Sequence, residues 1–219
     1  MKALIVWGGW DGHEPESVAQ LLASALRGEG FDVALSDSLD VFRDRGLLAG
    51  LSLIVPVWSM GTIEDDQLAG LLAAVEGGVG IGGCHGGMCD SFRQATDYQF
   101  MTGGQWVAHP GGDDVEYAVR FVDREHVITR GLDDFPVRSE QYYMHVDPAN
   151  HVLAVTRFPV ADGPHVPNGD VDMPVAWTRR HGRGRVFYCS LGHRRSVLEQ
   201  EPALELCTRG LVWASGSAS

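Results

Sequence analysis

Cys84 and His85 stand side by side in GIGGCHGGM, residues 80–88, where a short apolar approach runs into clustered glycines. A glycine-flanked residue between a strand and a helix is how α/β enzymes push one reactive side chain into the open. The pattern reads in two registers. Gly82 to Gly86 centres a cysteine, which describes a thiol nucleophile; Gly83 to Gly87 centres a histidine, which describes a metal ligand or an acid–base group.

The first register has a requirement. A thiolate nucleophile needs a histidine base, normally oriented by a carboxylate. In amidotransferases of this general architecture, base and acid follow a late strand as H-x-E. Here the late histidine, His193 in YCSLGH, is followed by Arg194 and Arg195. With no acid at that spacing, Cys84 reads as a small residue whose side chain turns into the core.

The second register has company. His13 follows an early apolar run in WGGWDGHEP, and His193 follows a late one; each lies beside glycine, as His85 does. In an open parallel sheet, ligands bind beyond the carboxyl ends of the strands, so residues just past three strand ends can meet along one rim. Three neutral imidazoles with an open position suit a divalent transition metal, zinc foremost. Such a metal would polarise a carbonyl or acidify a bound water. Glu140, in RSEQYYMHV, reads as a fourth ligand, a base, or a solvated loop carboxylate. His109 in the glycine-rich GGQWVAHPGG and His145 are candidates for the pocket lining. Trp10, Trp106 and Tyr142 offer flat faces to a sugar ring, although core packing is the more frequent explanation for such aromatics. His126, His151, His165 and His181 read as surface residues.

The elements that must position these groups follow from the apolar pattern. Residues 2–7 (KALIVW), 32–35, 53–57 and the approach to Cys84 read as short buried strands, the third ending at its Pro56. Between them, Val18, Leu21, Leu22, Ala25 and Leu26 have helical spacing, as do Leu68, Leu71, Leu72 and Val75 after Thr62. This alternation predicts a parallel sheet with helices on both faces. Beyond residue 105 the pattern changes. Residues 115–122, 152–156 and 174–179 read as edge or antiparallel strands, and 181–184 as a turn into RVFYC at 185–189. A final helix is expected over 202–213. The expected organisation is one domain over residues 1–215 with a loose tail at 216–219.

Composition narrows the function classes. Hydrophobic residues make up 44% of the 219, ordinary for a globular chain. A net charge of -12 argues against a nucleic-acid partner, since phosphate recognition needs a basic surface. No stretch reaches membrane-spanning length, and no leader pattern opens the chain. Four cysteines without CxxC spacing fit a reduced, cytoplasmic protein. A homo-oligomer is left open.

Taken in order, GGWDGHEP, GCHGGMCDSF, TGGQWVAHPGG, HVITRGLDDF, SEQYYMHVDP and MPVAWTRRHGRGRVFYCSLGH make nearly the whole chain resemble the ThuA-like (trehalose utilisation) family. The resemblance implies a flavodoxin-like three-layer sandwich related to class I glutamine amidotransferases, with a mainly parallel central sheet and additional antiparallel strands in the C-terminal half. It places His85 where the amidotransferase cysteine would be, and matches His13, His193 and Glu140 to family positions. Cys84 before His85 and the doubled glycines after it depart from the commoner G-[IL]-H-[SA] form. The implied role is sugar catabolism. The expectation is a metal-assisted enzyme using His13, His85 and His193 as ligands, with Glu140 and His85 in the chemistry, acting on a small sugar or keto-sugar. The rivals are a Cys84-dependent hydrolase and a non-catalytic sugar-binding module.

Overall fold

The computed structural model describes residues 1–217. Nine strands form one sheet in the order β2-β1-β3-β4-β11-β10-β9-β6-β7. The parallel half comprises β1 (Lys2–Gly9), β2 (Asp32–Ser36), β3 (Leu53–Ser59), β4 (Gly80–Cys84) and β11 (Gly184–Cys189). Its order, 2-1-3-4 followed by a late strand, is the flavodoxin-like arrangement with its crevice at the carboxyl ends. The antiparallel half adds β10 (Val171–His181), β9 (His151–Phe158), β6 (Val115–Phe121) and β7 (Phe135–Ser139). A separate two-stranded ribbon pairs β5 (Gly104–Ala108) with β8 (Tyr143–Val146).

Two apolar layers enclose the sheet. On one side α1 (Pro15–Gly28) and α7 (Glu201–Ala214), with the short α6 (Arg195–Leu198), pack Leu22, Leu26, Leu206 and Leu211 against Ile5, Val55 and Phe187. On the other, α2 (Arg45–Ala49), α3 (Asp65–Glu76) and α5 (Thr96–Thr102) pack Leu48, Leu71, Val75 and Met101 against Leu4, Val6, Ile54 and Tyr188. Strand β1 is buried on both faces, which is why KALIVW is apolar without alternation. By contrast β6 alternates buried and exposed residues, as a one-sided antiparallel strand does. Each fully buried leucine contributes about 1.5–3 kcal/mol through the water it sheds.

Several sequence expectations shift. Strand β3 does not stop at Pro56 but runs on to Ser59. The ladder between β3 and β4 holds only Leu53 and Ile54, so the missing N–H of Pro56 falls beyond it. Helix α3 begins at Asp65 rather than just after Thr62, because Glu64 and Gln67 form a capping box there. His165, expected on the surface, is buried against Tyr143 and Phe158. Of the expected tail, residues 218–219 lie outside the described residues, while Ser217 Oγ donates to the Val212 carbonyl at 3.0 Å.

The glycines around Cys84 and His85 answer to close packing rather than left-handed backbone, since Gly83 and Gly87 both have ordinary φ. A Cβ on Gly87 would sit 2.9 Å from Val57 Cα of β3, and one on Gly83 would sit 2.9 Å from Met88 Cβ. The short helix α4 (Gly86–Cys89) can lie against the sheet only with hydrogen at these positions. Gly87→Val is therefore expected to lower stability by about 1–3 kcal/mol, the usual range for overpacking, seen as a drop of several degrees in Tm. An unchanged melting curve would refute this packing account.

Candidate functional site

Five strand ends deliver the site. The chain leaves β1 through a short 3₁₀ turn, Asp11–His13, which carries His13. Strand β3 ends on Ser59, β4 on Cys84 just before His85, and β11 on Cys189 just before Ser190 and His193. Glu140 follows β7, five places from β4 in the pairing order, so the antiparallel half must curl back over the parallel rim to bring it there.

His85 occupies a sharp turn with φ +50° and ψ -142°, a conformation costing a non-glycine residue about 1–3 kcal/mol. The surroundings hold it there. Its N–H donates to the Cys189 carbonyl at 2.7 Å, and its own carbonyl accepts from the Tyr188 hydroxyl at 3.1 Å. The Tyr142 ring stacks on the imidazole with centroids 4.0 Å apart. Gly86 has no room for a Cβ, which would meet the His13 ring at 2.6 Å. One glycine after His85 thus admits the His13 ring, and the next admits the β3 backbone.

His13, His85, His193 and Glu140 are all buried, and one ligand atom from each lies within 4.8 Å of the others. His85 Nδ1 lies 2.8 Å from the Ser190 carbonyl, an oxygen that only accepts, so Nδ1 carries the proton. His85 Nε2 then turns a lone pair toward Glu140 Oε2 at 3.1 Å. His13 Nδ1 pairs with the Ser59 hydroxyl at 2.6 Å, and its Nε2 lies 4.0 Å from Glu140 Oε2. His193 Nδ1 is 3.3 Å from Glu140 Oε1 but lacks hydrogen-bond geometry, and neither of its ring nitrogens has a hydrogen-bond partner.

Charge sharpens the arrangement. Burial, followed by repulsion from His85, lowers the His13 imidazole to about 3. Burial likewise lowers His85, against the opposing pull of Glu140. Burial works to raise the Glu140 carboxyl, but hydrogen bonding and the positive charge that His193 and His85 carry when protonated hold it well below the usual carboxylate range. With its proton on Nδ1, His85 turns its Nε2 lone pair to the Glu140 carboxyl across 3.1 Å. A cation between them resolves that opposition, and three imidazoles with one carboxylate are a donor set that zinc takes. Tetrahedral zinc ligands sit about 3.4 Å apart at zinc–nitrogen bonds of about 2.0–2.1 Å, so the cluster fits such an ion with a modest contraction. The residues present could hold a metal.

The other sequence candidates divide. His109 joins the rim, with Nε2 3.8 Å from Glu140 Oε1 and its side chain 37% exposed. Tyr142 is a buried wall. Trp10 meets His13 edge-on at 4.7 Å and stays 46% exposed, an open face at the mouth. Trp106 lies between Tyr142 at 6.2 Å and His109 at 5.6 Å, while the Arg93 guanidinium covers its ring at 4.7 Å. His145 is not brought to the cluster; it is exposed on β8, its backbone paired with Gln105. Cys84 is buried beside Cys207 in the apolar layer beneath α1 and α7. Sequence reasoning missed Ser59 and the Ser190 carbonyl, which orient His13 and His85, and Tyr117, whose hydroxyl holds the Glu140 carbonyl at 3.0 Å. Only the strand-end position of the two serines could have signalled them.

Fold and site together define a flavodoxin-like α/β protein of the glutamine amidotransferase-like class, with a histidine at the turn that follows β4. The sequence matches the ThuA family, described as trehalose utilisation, over residues 2–214, and the chain belongs to that family. Among curated proteins none matches it in sequence. Solved structures that resemble it include a ThuA-like protein from Parabacteroides merdae (18% identity, 98% of this chain and 90% of that chain, TM-score 0.75). A second, from Bacteroides uniformis, gives 17% identity, 98% and 91% coverage and a TM-score of 0.77. A cytoplasmic protein from Salmonella typhimurium gives 16% identity, 95% and 97% coverage and 0.67. At these identities the likeness concerns the fold. No helix among the described residues is long and apolar enough to cross a membrane.

The lowered imidazole and carboxyl set a pH dependence. A histidine whose folded pKa lies below its free value of about 6.5 binds protons in the unfolded chain first, so stability falls as pH drops from there toward about 3. The depressed Glu140 adds stability above its free value that is lost in the same direction. The metal-free protein should show a Tm declining steadily from pH 6.5 to 4, and His13→Asn should flatten that decline. Parallel curves for the two proteins would remove His13 from this role.

Proposed function

We propose that this chain is a cytoplasmic, metal-assisted enzyme of carbohydrate catabolism, acting on a small sugar or keto-sugar at the His13–His85–His193–Glu140 cluster. The observation that supports it most is the His85 lone pair set against the buried Glu140 carboxyl, with neither His193 ring nitrogen in a hydrogen bond beside them. Such a constellation is costly unless a cation completes it. A bound divalent metal, zinc by its donor set, would supply Lewis acidity toward a sugar carbonyl or hydroxyl oxygen.

The chain's own residues do the rest. Ser59 and the Ser190 carbonyl fix the ring orientations of His13 and His85, as the outer partners of ligating histidines do. Glu140 is then a ligand that also holds the histidines together. The partly exposed His109, outside the four and 3.8 Å from Glu140, is placed to take or deliver a proton at Nε2. Trp10 offers its open face to a ring, and Tyr142 keeps water from the back of His85. The family description, trehalose utilisation, supports a sugar as substrate.

Protein incubated with zinc and desalted should retain about one ion per chain, and His85→Gln should retain less than about a tenth of that while melting normally. Full zinc in His85→Gln, or none in the unaltered protein, would defeat the reading. A separate outcome concerns Cys84. Its thiol is 2% exposed in the core, so iodoacetamide should modify it slowly at neutral pH and only as the chain unfolds. Rapid modification with loss of activity would reinstate the thiol route.

A further inference from the structure

Beside the histidine cluster stands a pair that the reading above leaves without a role. Asp90 ends α4, immediately after the His85 turn, with its side chain 3% exposed. Its backbone is held at both groups: Met60 N–H donates to its carbonyl at 2.8 Å, and its own N–H donates to the Gly86 carbonyl at 3.2 Å. Arg93 answers the carboxylate side-on, Nε to Oδ1 at 2.6 Å and Nη2 to Oδ2 at 3.0 Å. The Trp106 ring lies 4.7 Å beneath the guanidinium and fixes its plane. That ring in turn neighbours His109 and Tyr142, the two groups flanking Glu140 and His85.

A guanidinium has five N–H groups in a rigid plane. Two are taken by Asp90. The edge facing away from the side chain presents one N–H from each Nη, two parallel donors, and Nη1 has no hydrogen bond among the described residues. The Arg93 side chain is 41% exposed, so this edge meets solvent. Nearby, Trp106 Nε1 and His109 Nδ1 are buried without hydrogen-bond partners, which makes this wall rich in unmatched polar nitrogen.

We infer that Arg93, clamped by Asp90 and Trp106, is a specificity-determining fork for a pair of adjacent neutral hydroxyls on the substrate, next to the atoms handled at the histidine cluster. This rests on the sugar-enzyme reading above and adds the ligand chemistry. The charge balance decides between a diol and an anion. Asp90 is a buried carboxylate whose neutralisation depends on Arg93. A second carboxylate or phosphate on the same guanidinium would compete with the buried Asp90 for the positive charge that neutralises it, whereas a diol accepts both hydrogen bonds without adding charge.

Arg93→Lys tests it, because lysine keeps the charge beside Asp90, and hence the fold, but loses the planar fork. Calorimetric titration of the zinc-treated protein with trehalose, maltose, glucose and glucuronate is the measurement, with Tm as the control for folding. The neutral disaccharides should bind the unaltered protein, and Arg93→Lys should weaken them about tenfold, the equivalent of about one to two hydrogen bonds. Zinc affinity should be equal in the two proteins, and glucuronate should bind no more tightly than glucose. Unchanged disaccharide binding in a folded Arg93→Lys protein, tighter binding of glucuronate, or no sugar binding at all would overturn the proposal. Failure to take up zinc would instead overturn the metal reading, and the same sugar titrations would still decide the fork.

Discussion

The hydrogen bond from His85 Nδ1 to the Ser190 carbonyl, at 2.8 Å, governs the chemistry of this protein. A carbonyl accepts and never donates, so this contact assigns the ring proton and points the remaining lone pair at Glu140. Were Nδ1 free to turn, His85 could donate to the carboxylate and the cluster would be an ordinary buried hydrogen-bond network. Because it is not free, that lone pair faces the carboxyl across 3.1 Å, a place a cation would fill. Each further feature of the rim follows from keeping that opposition in place: Ser59 on His13, Tyr142 stacked behind His85, Tyr117 bound to the Glu140 backbone.

The strained turn at His85 belongs to the same logic. A left-handed, non-glycine residue persists only where its neighbours over-determine it. Here the constraints come from β11, through Cys189 and Tyr188, and from the packing of α4 on β3. Strain at the turn and order in the sheet are therefore coupled. The turn aims an imidazole at the rim, while Cys84, one position earlier, is buried in the apolar layer beneath α1 and α7.

The two halves of the sheet divide the labour. The parallel half supplies three histidines at strand ends, two of them, His13 and His85, oriented by a serine hydroxyl and a backbone carbonyl. The antiparallel half supplies the single carboxylate, and the separate β5–β8 ribbon supplies Trp106. Charge balance at the rim thus depends on curling of the sheet, so the site forms only when the whole sheet has formed. The Asp90–Arg93 pair lies where the two contributions meet.

What the sequence determined by itself was the parallel half and its histidines. An apolar run such as KALIVW can only be a strand covered on both faces, and helical spacing from Val18 to Leu26 leaves α1 one way to pack. Once strands alternate with helices, topology sends residues just past the strand ends to one edge, so His13, His85 and His193 were legible from local pattern alone. Glu140 was visible only as an ambiguous carboxylate, because its arrival depends on curvature accumulated over β9, β6 and β7, which no local pattern records. The extension of β3 past Pro56 was hidden for a related reason: whether a missing N–H matters depends on which neighbour ladder has already ended. His145 could not be told from its neighbours, since one step along a strand reverses the face. Ring tautomers, the pairing of Arg93 with Asp90 and the exclusion of Cys84 from the rim were decided by tertiary structure, because each depends on directions of side chains that meet only after folding.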